Sequence, residues 1–231
     1  MNNRIVSKED WLAARKALLA EEKALKRRQD ELAEKRRAMP VTRIEKPYAF
    51  RTEDGPASLA DLFEGRRQLV IYHFMFGEDW AEGCPSCSFW ADHFGGIVSH
   101  LKARDTSFAC VSSASLDKLL AYRARLGWSF PWVSSNGTQF GEDFGVFFHE
   151  DGDHPDGYNY SGRPAKGELP GLSVFLQGDD GAVLHSYSAY SRGLEPLNTV
   201  YAVLDMTPLG RREDDLSYPM AWVKRRDQYR L

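Results

Sequence analysis

Cys84 and Cys87 are separated by Pro85 and Ser86, and this Cys-x-x-Cys pair is the main chemical signal of the chain. Such a pair can exchange with disulfides or supply half of a metal site. In exchange the nucleophile is the thiolate, whereas an ordinary thiol is mostly protonated at neutral pH. The first turn of a helix offers unpaired N–H groups and the positive end of the dipole, both of which favour the thiolate. Placed at a helix entry, Cys84 would be exposed and activated. Cys87, one turn on, can reach the same sulfur and resolve a mixed disulfide. Pro85 suits the first helical position, where its missing N–H costs nothing. The pattern therefore assigns Cys84 as nucleophile and Cys87 as resolver. Glu78, Asp79 and Glu82 stand just upstream, and their charge would oppose thiolate formation.

Metal binding is the competing chemistry, yet the pair supplies only two of the four ligands zinc takes. His93 lies six residues past Cys87, which on a helix is about 9 Å of rise and roughly 240° of rotation. It cannot complete the site locally. His93 and His100 share a face but stand two turns apart. His73, His149, His154 and His185 could approach only through the fold. No metal set is assigned, and no cofactor is indicated, since no G-x-G-x-x-G, P-loop or Ser-His-Asp spacing occurs.

The remaining candidates are weaker. His73 lies on the segment that leads to the cysteines, where it could relay a proton to the resolving thiol or act as a hydrogen-bonded core residue. Cys110 reads as a small buried hydrophobe. Trp80, Trp90, Trp128 and Trp132 read as core or as walls of the site.

The elements that must position the pair can be read from periodicity. Gln68 to Phe76 is a near-continuous apolar run, as in a strand buried on both faces. After the cysteines, Trp90, Phe94, Ile97, Val98 and Leu101 mark an amphipathic helix that Gly95-Gly96 should loosen or kink. Thr106 to Ser112 reads as a second buried strand, and Leu116 to Leu126 as a helix ended by Gly127. Residues 149–171, rich in Gly, Pro and Asp, read as a long inserted loop bordering the site. Leu172 to Leu176 and Ala182 to Tyr187 flank a turn and predict an antiparallel hairpin. Leu194 to Leu204 closes the core as a helix. The tail, about 205–231, has no assignment. The order β-α-β-α, insertion, β-β-α is that of a thioredoxin core, with the cysteines between the first core strand and its helix.

The 231 residues carry a net charge of −3. Residues 1–39 hold 11 Lys and Arg against 7 Asp and Glu, a net of +4, and the remainder a net of −7. The first segment reads as a helical arm, about Ser7 to Ala38, with Ser7 as N-cap and Asp10 in a capping-box position. Trp11, Leu18, Leu25, Leu32 and Met39 recur every seven residues, but no full coiled-coil seam accompanies them. The arm is expected to lie on the body, on a partner subunit as a homodimer, or in solvent. The chain thus divides into two regions: the arm, 1–39, and an α/β domain, 40–231. The near-neutral charge argues against a nucleic-acid binder. Three cysteines are too few for a disulfide scaffold. No apolar stretch suits a signal peptide or a membrane span. The expectation is a soluble, cytoplasmic protein.

Several stretches together resemble a known family. They are Tyr72-His-Phe-Met-Phe-Gly77, Asp79-Trp80, Gly83-Cys-Pro-Ser-Cys-Ser-Phe-Trp90, Gly127-Trp-Ser-Phe-Pro-Trp-Val-Ser-Ser135 and Leu204-Asp-Met-Thr-Pro-Leu-Gly-Arg211. The chain resembles the domain-of-unknown-function 899 family of bacterial thioredoxin-like proteins. That resemblance implies a thioredoxin-like three-layer α/β fold, here with the long N-terminal helix and the inserted loop, and implies no activity. Ser58 to Phe63 and the apolar strand are also similar to the peroxiredoxin and thiol-reductase branch. Residues 77–84 lack the Pro-x-x-x-Thr-x-x-Cys pattern of peroxiredoxins, which argues against peroxide reduction. Thioredoxins place a proline opposite the cysteines. Pro170 falls two or three residues early for it, which leaves Ser173 as the candidate for that place. The expected function is thiol–disulfide exchange with a protein or small-molecule disulfide or thiol. The alternative is a thioredoxin-fold binding or adaptor protein with structural or metal-bound cysteines.

Overall fold

Ten strands and six α-helices are defined in a computed structural model that describes residues 4–150 and 156–230. The strands are β1 (Thr42–Arg43), β2 (Ala49–Thr52), β3 (Gly55–Ser58), β4 (Gln68–His73), β5 (Thr106–Ser112), β6 (Trp132–Ser134), β7 (Phe147–Phe148), β8 (Gly167–Glu168), β9 (Gly171–Gln177) and β10 (Val183–Tyr190). The helices are α1 (Lys8–Arg37), α2 (Pro85–Ala91), α3 (Val98–Lys102), α4 (Leu116–Arg125), α5 (Phe140–Asp143) and α6 (Thr199–Leu204).

Eight strands form one sheet in the order β1-β10-β9-β4-β5-β6-β2-β3. The centre explains the apolar runs. β4 pairs in parallel with β5 and antiparallel with β9, and β5 pairs in parallel with β6. All seven residues of β5 are buried, as expected for a strand covered on both faces. The hairpin β9–β10 forms as its turn predicts, with a register shift between His185 and Tyr187. Parallel β4–β5 flanked by an antiparallel hairpin makes this a thioredoxin-like α/β fold.

The sheet separates two cores. On one face Tyr72, Phe74, Cys110 and Trp132 pack with Cys87, Phe89 and Trp90 of α2, Tyr122 of α4 and Tyr201 of α6. On the other face Leu69, Ile71, Val111 and Val133 pack with Phe50, Phe63, Phe140 and Phe144. Because side chains alternate along a strand, Tyr72 and His73 are committed to opposite cores.

Three expected elements are interrupted. The helix expected through Gly95-Gly96 is split into α2 and α3, with turns at 92–97, as two helix-weakening glycines dictate. The closing helix is a 3-10 stretch over Ser191–Leu197 followed by α6, broken where Asn198 caps Tyr201 N at 3.0 Å. The loop expected over 149–171 is not structureless: it contains a 3-10 turn at Tyr158–Tyr160 and β8, which pairs with β7. Its residues 151–155, His154 among them, lie outside the described residues.

The chain divides into two compact units, Met1–Pro40 and Val41–Leu231. In the first, Ser7 Oγ accepts from Asp10 N at 3.1 Å and donates to the Asp10 carboxylate, closing the expected cap. None of the residues of α1 is buried, and Trp11, Leu18, Leu25 and Leu32 are exposed along it. No helix among the described residues is long and apolar enough to cross a membrane.

Candidate active site

Cys84 is the N-cap of α2 and Pro85 its first residue. Both cysteines are free thiols, Cys84 half-buried and Cys87 buried. The two sulfurs are chemically unequal. The Cys87 thiol donates to Cys84, and the amides of Cys87 and Ser86 and the Ser86 hydroxyl add to it. Against the cost of burial, these hold the Cys84 pKa down at about 6. Burial, and then its role as donor to Cys84, pushes Cys87 well above the ordinary thiol range. Tyr72, rising from β4 on the same face, hydrogen-bonds the Cys87 sulfur from below. Cys110 is the cross-strand neighbour of Tyr72, fully buried with its thiol raised by desolvation alone. It reads as core.

Two of the three acidic residues upstream are already engaged. Glu82 is ion-paired to Arg225 at 2.7 Å and to Arg125. Glu78 accepts from the Ser115 amide and from Asn136 Nδ2. No acidic residue is among the largest influences on Cys84.

The peptide unit preceding Cys84 is pinned at both ends. Cys84 N donates to Met75 O at 3.1 Å, and Gly83 O accepts from Arg225 Nη2 at 2.6 Å. Arg225 Nε also donates to Tyr122 Oη at 2.8 Å. Ser88 Oγ donates to Cys84 O at 2.8 Å, so the Tyr122 hydroxyl must be the donor in its 2.9 Å bond with Ser88 Oγ. Gly83 is required by close approach: a Cβ there would lie 2.8 Å from Phe74 Cε1 and 2.9 Å from Tyr122 Cε1. The clamp comes from the C-terminal tail, to which periodicity assigns no element. Trp222 packs edge-on against Phe89 at 5.5 Å, and Val223 is buried in the cysteine-side core. The trace of this in the sequence is a short apolar run, Met220 to Val223, inside a charged segment.

A cavity of about 760 Å³ opens beside Cys87, with Tyr72, Met75, Ser86, Trp90 and Pro170 also in its wall, and Cys84 does not line it. The inserted segment borders the cavity at Pro170. Tyr158 Oη donates to Pro170 O at 2.8 Å and accepts from Ser191 N at 2.9 Å.

Three expected site residues are not brought to the cysteines. His73 lies on the opposite face, where its Nε2 bonds Ser173 Oγ at 2.8 Å and its ring packs against Phe140 and Phe144. Burial, then the neighbouring His185, lowers its pKa to about 3. Ser173 continues to Ser188 Oγ at 3.0 Å and on to His185 Nε2 at 2.8 Å. Both corrections have their cause in strand parity. Pro170, immediately before β9, lines the same cavity as Cys87. Trp80 packs against the edge of the cysteine-side core and does not line the cavity. Among the described residues, no group of three or more His, Cys, Asp or Glu gathers as a metal site would.

Residues 1–229 match a family described as a bacterial protein of unknown function, DUF899. No curated protein matches the chain. Among solved structures, it is similar to a mutant of Xanthomonas campestris peroxiredoxin Q, with 19% identity and a TM-score of 0.45 over 70% of this chain and 90% of that one. It is similar to peroxidoxin BcpB from Mycobacterium tuberculosis, with 14% identity and a TM-score of 0.47 over 72% of this chain and 97% of that one. A third is the mitochondrial 2-Cys peroxiredoxin of Plasmodium falciparum, with 13% identity and a TM-score of 0.40 over 69% of this chain and 90% of that one. The chain belongs to the DUF899 family.

Proposed function

We propose that this DUF899 protein is a thiol–disulfide oxidoreductase in which Cys84 attacks and Cys87 resolves. The observation that carries the reading is the inequality of the two thiols. Cys84 is held as a thiolate near neutral pH while its neighbour stays protonated and donates to it. A nucleophile with a pKa close to ambient pH combines a high thiolate fraction with retained nucleophilicity. A structural pair needs no such division.

The reaction has two steps. The Cys84 thiolate attacks one sulfur of a disulfide, the disulfide bond breaks, and the first thiolate leaves and takes a proton from water. Cys87 then attacks Cys84 Sγ as it gives up its own proton, and the second thiol leaves. The substrate disulfide is reduced to two thiols, and the protein dithiol is oxidised to a Cys84–Cys87 disulfide. The Cys87→Ser variant should accumulate mixed disulfides through Cys84, and Cys84→Ser should accumulate none. Mass spectrometry after incubation with a disulfide reads both, and equal silence from the two variants overturns the reading. Protein of the adaptor class would leave both unmodified.

A further inference from the structure

To resolve a mixed disulfide Cys87 must lose its proton, yet it is buried and its thiol is held well above the ordinary range. Burial is the first cause of that rise and the neighbouring Cys84 the second. The second cause lasts only while Cys84 carries a charge. Once Cys84 is bonded to a substrate sulfur that charge is gone, and burial is left as the opposing cause. Two donors act on the Cys87 sulfur against it, the Met75 amide and the Tyr72 hydroxyl.

Both donors come from one stretch of chain. Tyr72 lies in β4, paired with Cys110 on one side and Leu172 on the other, so its backbone is fixed from both directions. Its ring meets Phe94 edge-on at 4.9 Å and is packed in the same core as Cys87. Met75 follows just past the end of the strand. Its amide serves Cys87 while its carbonyl accepts from Cys84 N at 3.1 Å. Tyr72, Met75 and Cys87 line one cavity.

The hydroxyl sets Tyr72 apart from its surroundings. Phe74, Phe94 and Phe108 fill the same core with plain phenyl rings, and a buried hydroxyl is costly unless it is bonded. Tyr48, Tyr190 and Tyr201 give theirs to oxygens of Asp143, Phe144 and Glu213. Tyr72 gives its own to sulfur. Because the Cys87 thiol spends its hydrogen on Cys84, Tyr72 is the donor in this bond. Burial also pushes the Tyr72 hydroxyl well above its ordinary range, so it stays protonated. A thiol is a weak acceptor and a thiolate a strong one. The bond therefore strengthens as charge builds on Cys87, and an interaction stronger in the transition state than in the ground state accelerates the step.

We infer that Tyr72 is a catalytic residue of the resolving step, its hydroxyl donating to the Cys87 sulfur as that sulfur becomes the nucleophile. This rests on the oxidoreductase reading and adds a residue to it. In the step the Cys87 S–H bond breaks and the proton passes to water. Cys87 Sγ bonds to Cys84 Sγ, the bond from Cys84 to the substrate sulfur breaks, and the leaving sulfur takes the electron pair. The protein pair is oxidised, the bound half of the substrate is reduced, and Tyr72 keeps its proton.

The test is stopped-flow reaction of the fully reduced protein with an equimolar amount of dithiobis(nitrobenzoate), an aromatic disulfide whose released thiolate is coloured. Capture by Cys84 releases a first equivalent of that thiolate, and resolution by Cys87 releases a second. Tyr72→Phe keeps the ring and removes the donor. Its first phase should keep the unaltered rate, and its second should slow by at least about tenfold, the size expected of a hydrogen bond to a charged group. Tyr48→Phe, which removes a buried hydroxyl on the far face of the sheet, should leave both phases as they were. An unchanged second phase in Tyr72→Phe, or two phases slowed alike as loosened packing would give, overturns the role of Tyr72 and leaves the oxidoreductase reading intact. If the unaltered protein releases no second equivalent, or none at all, the oxidoreductase reading falls and the role of Tyr72 with it.

Discussion

At the scale of single residues, the division of labour between the two thiols is a matter of who donates to whom. The largest influence on Cys84 is the hydrogen bond from the Cys87 thiol. Alkylation of Cys84 should therefore rise with pH through a midpoint of about 6. At pH 7 about nine-tenths of it would be thiolate. Cys87→Ala deletes that donor and should move the midpoint upward, towards the ordinary thiol value. Iodoacetamide rates across pH, with the modified residue identified by mass spectrometry, read both. A midpoint unmoved by Cys87→Ala would mean that the amides and Ser86 alone hold the thiolate. Cys110 should stay unmodified in the folded protein, because it is fully buried and its thiol is raised.

At the scale of elements, the short helix α2 does not orient its own N-cap unaided. The preceding loop is fixed by a neighbour on the tail, through Arg225 on Gly83 O, and by the Tyr122–Ser88 bond to Cys84 O. Arg225 is a positioning residue: it touches the peptide before the nucleophile and not the sulfur. Arg225→Ala should slow disulfide capture by Cys84 several-fold, with Arg225→Lys recovering part of the rate through its single cation. A purely structural role would lower the unfolding midpoint and leave the rate in the remaining folded protein untouched. Gly83→Ala should destabilise by about 1–3 kcal/mol through overpacking against Phe74 and Tyr122. Urea unfolding measures that loss, and a neutral result would show that the two rings can shift.

At the scale of the whole molecule, buried histidines, His73 on the face away from the cysteines first among them, narrow the pH range of stability. His73 is buried neutral, its pKa lowered by burial and by His185 to about 3. His185 and His93 are lowered as well, burial again the first cause. For such a group the two states bind protons equally above the unfolded value of about 6.5, so nothing changes there. Below it the unfolded chain takes up a proton that the folded chain refuses, and stability falls as pH falls towards about 3. His73 alone contributes a loss on the order of 1 kcal/mol per pH unit in that window. Urea midpoints should therefore drop between pH 7 and pH 5, above the range in which carboxylates titrate, and His73→Gln should flatten the drop. An unchanged slope in that variant would place the acid sensitivity elsewhere.

Much of this architecture was present in local pattern. The strand Thr106–Ser112, the antiparallel hairpin, the capped N-terminal helix and the position of Cys84 at a helix entry are all set by periodicity, turn residues and caps. Each is a property of residues close together in the chain. The sequence also determined that the two cysteines sit one helical turn apart, since spacing alone sets that distance.

Only the tertiary structure decided which residues share the cysteine face. His73 and Ser173 looked close to the site because they lie on strands that lead to it, but side-chain parity turns them to the far core, and Pro170 lines the cavity that Cys87 also lines. Tyr72, one residue earlier than His73, became the cysteine's neighbour by the same alternation. The clamp by Arg225 lies 142 residues from Gly83 along the chain, and the cavity wall holding Glu195, Arg211 and Glu213 is assembled from the 3-10 stretch and the tail. No local periodicity records such meetings, because they are set by how the sheet's two faces are covered.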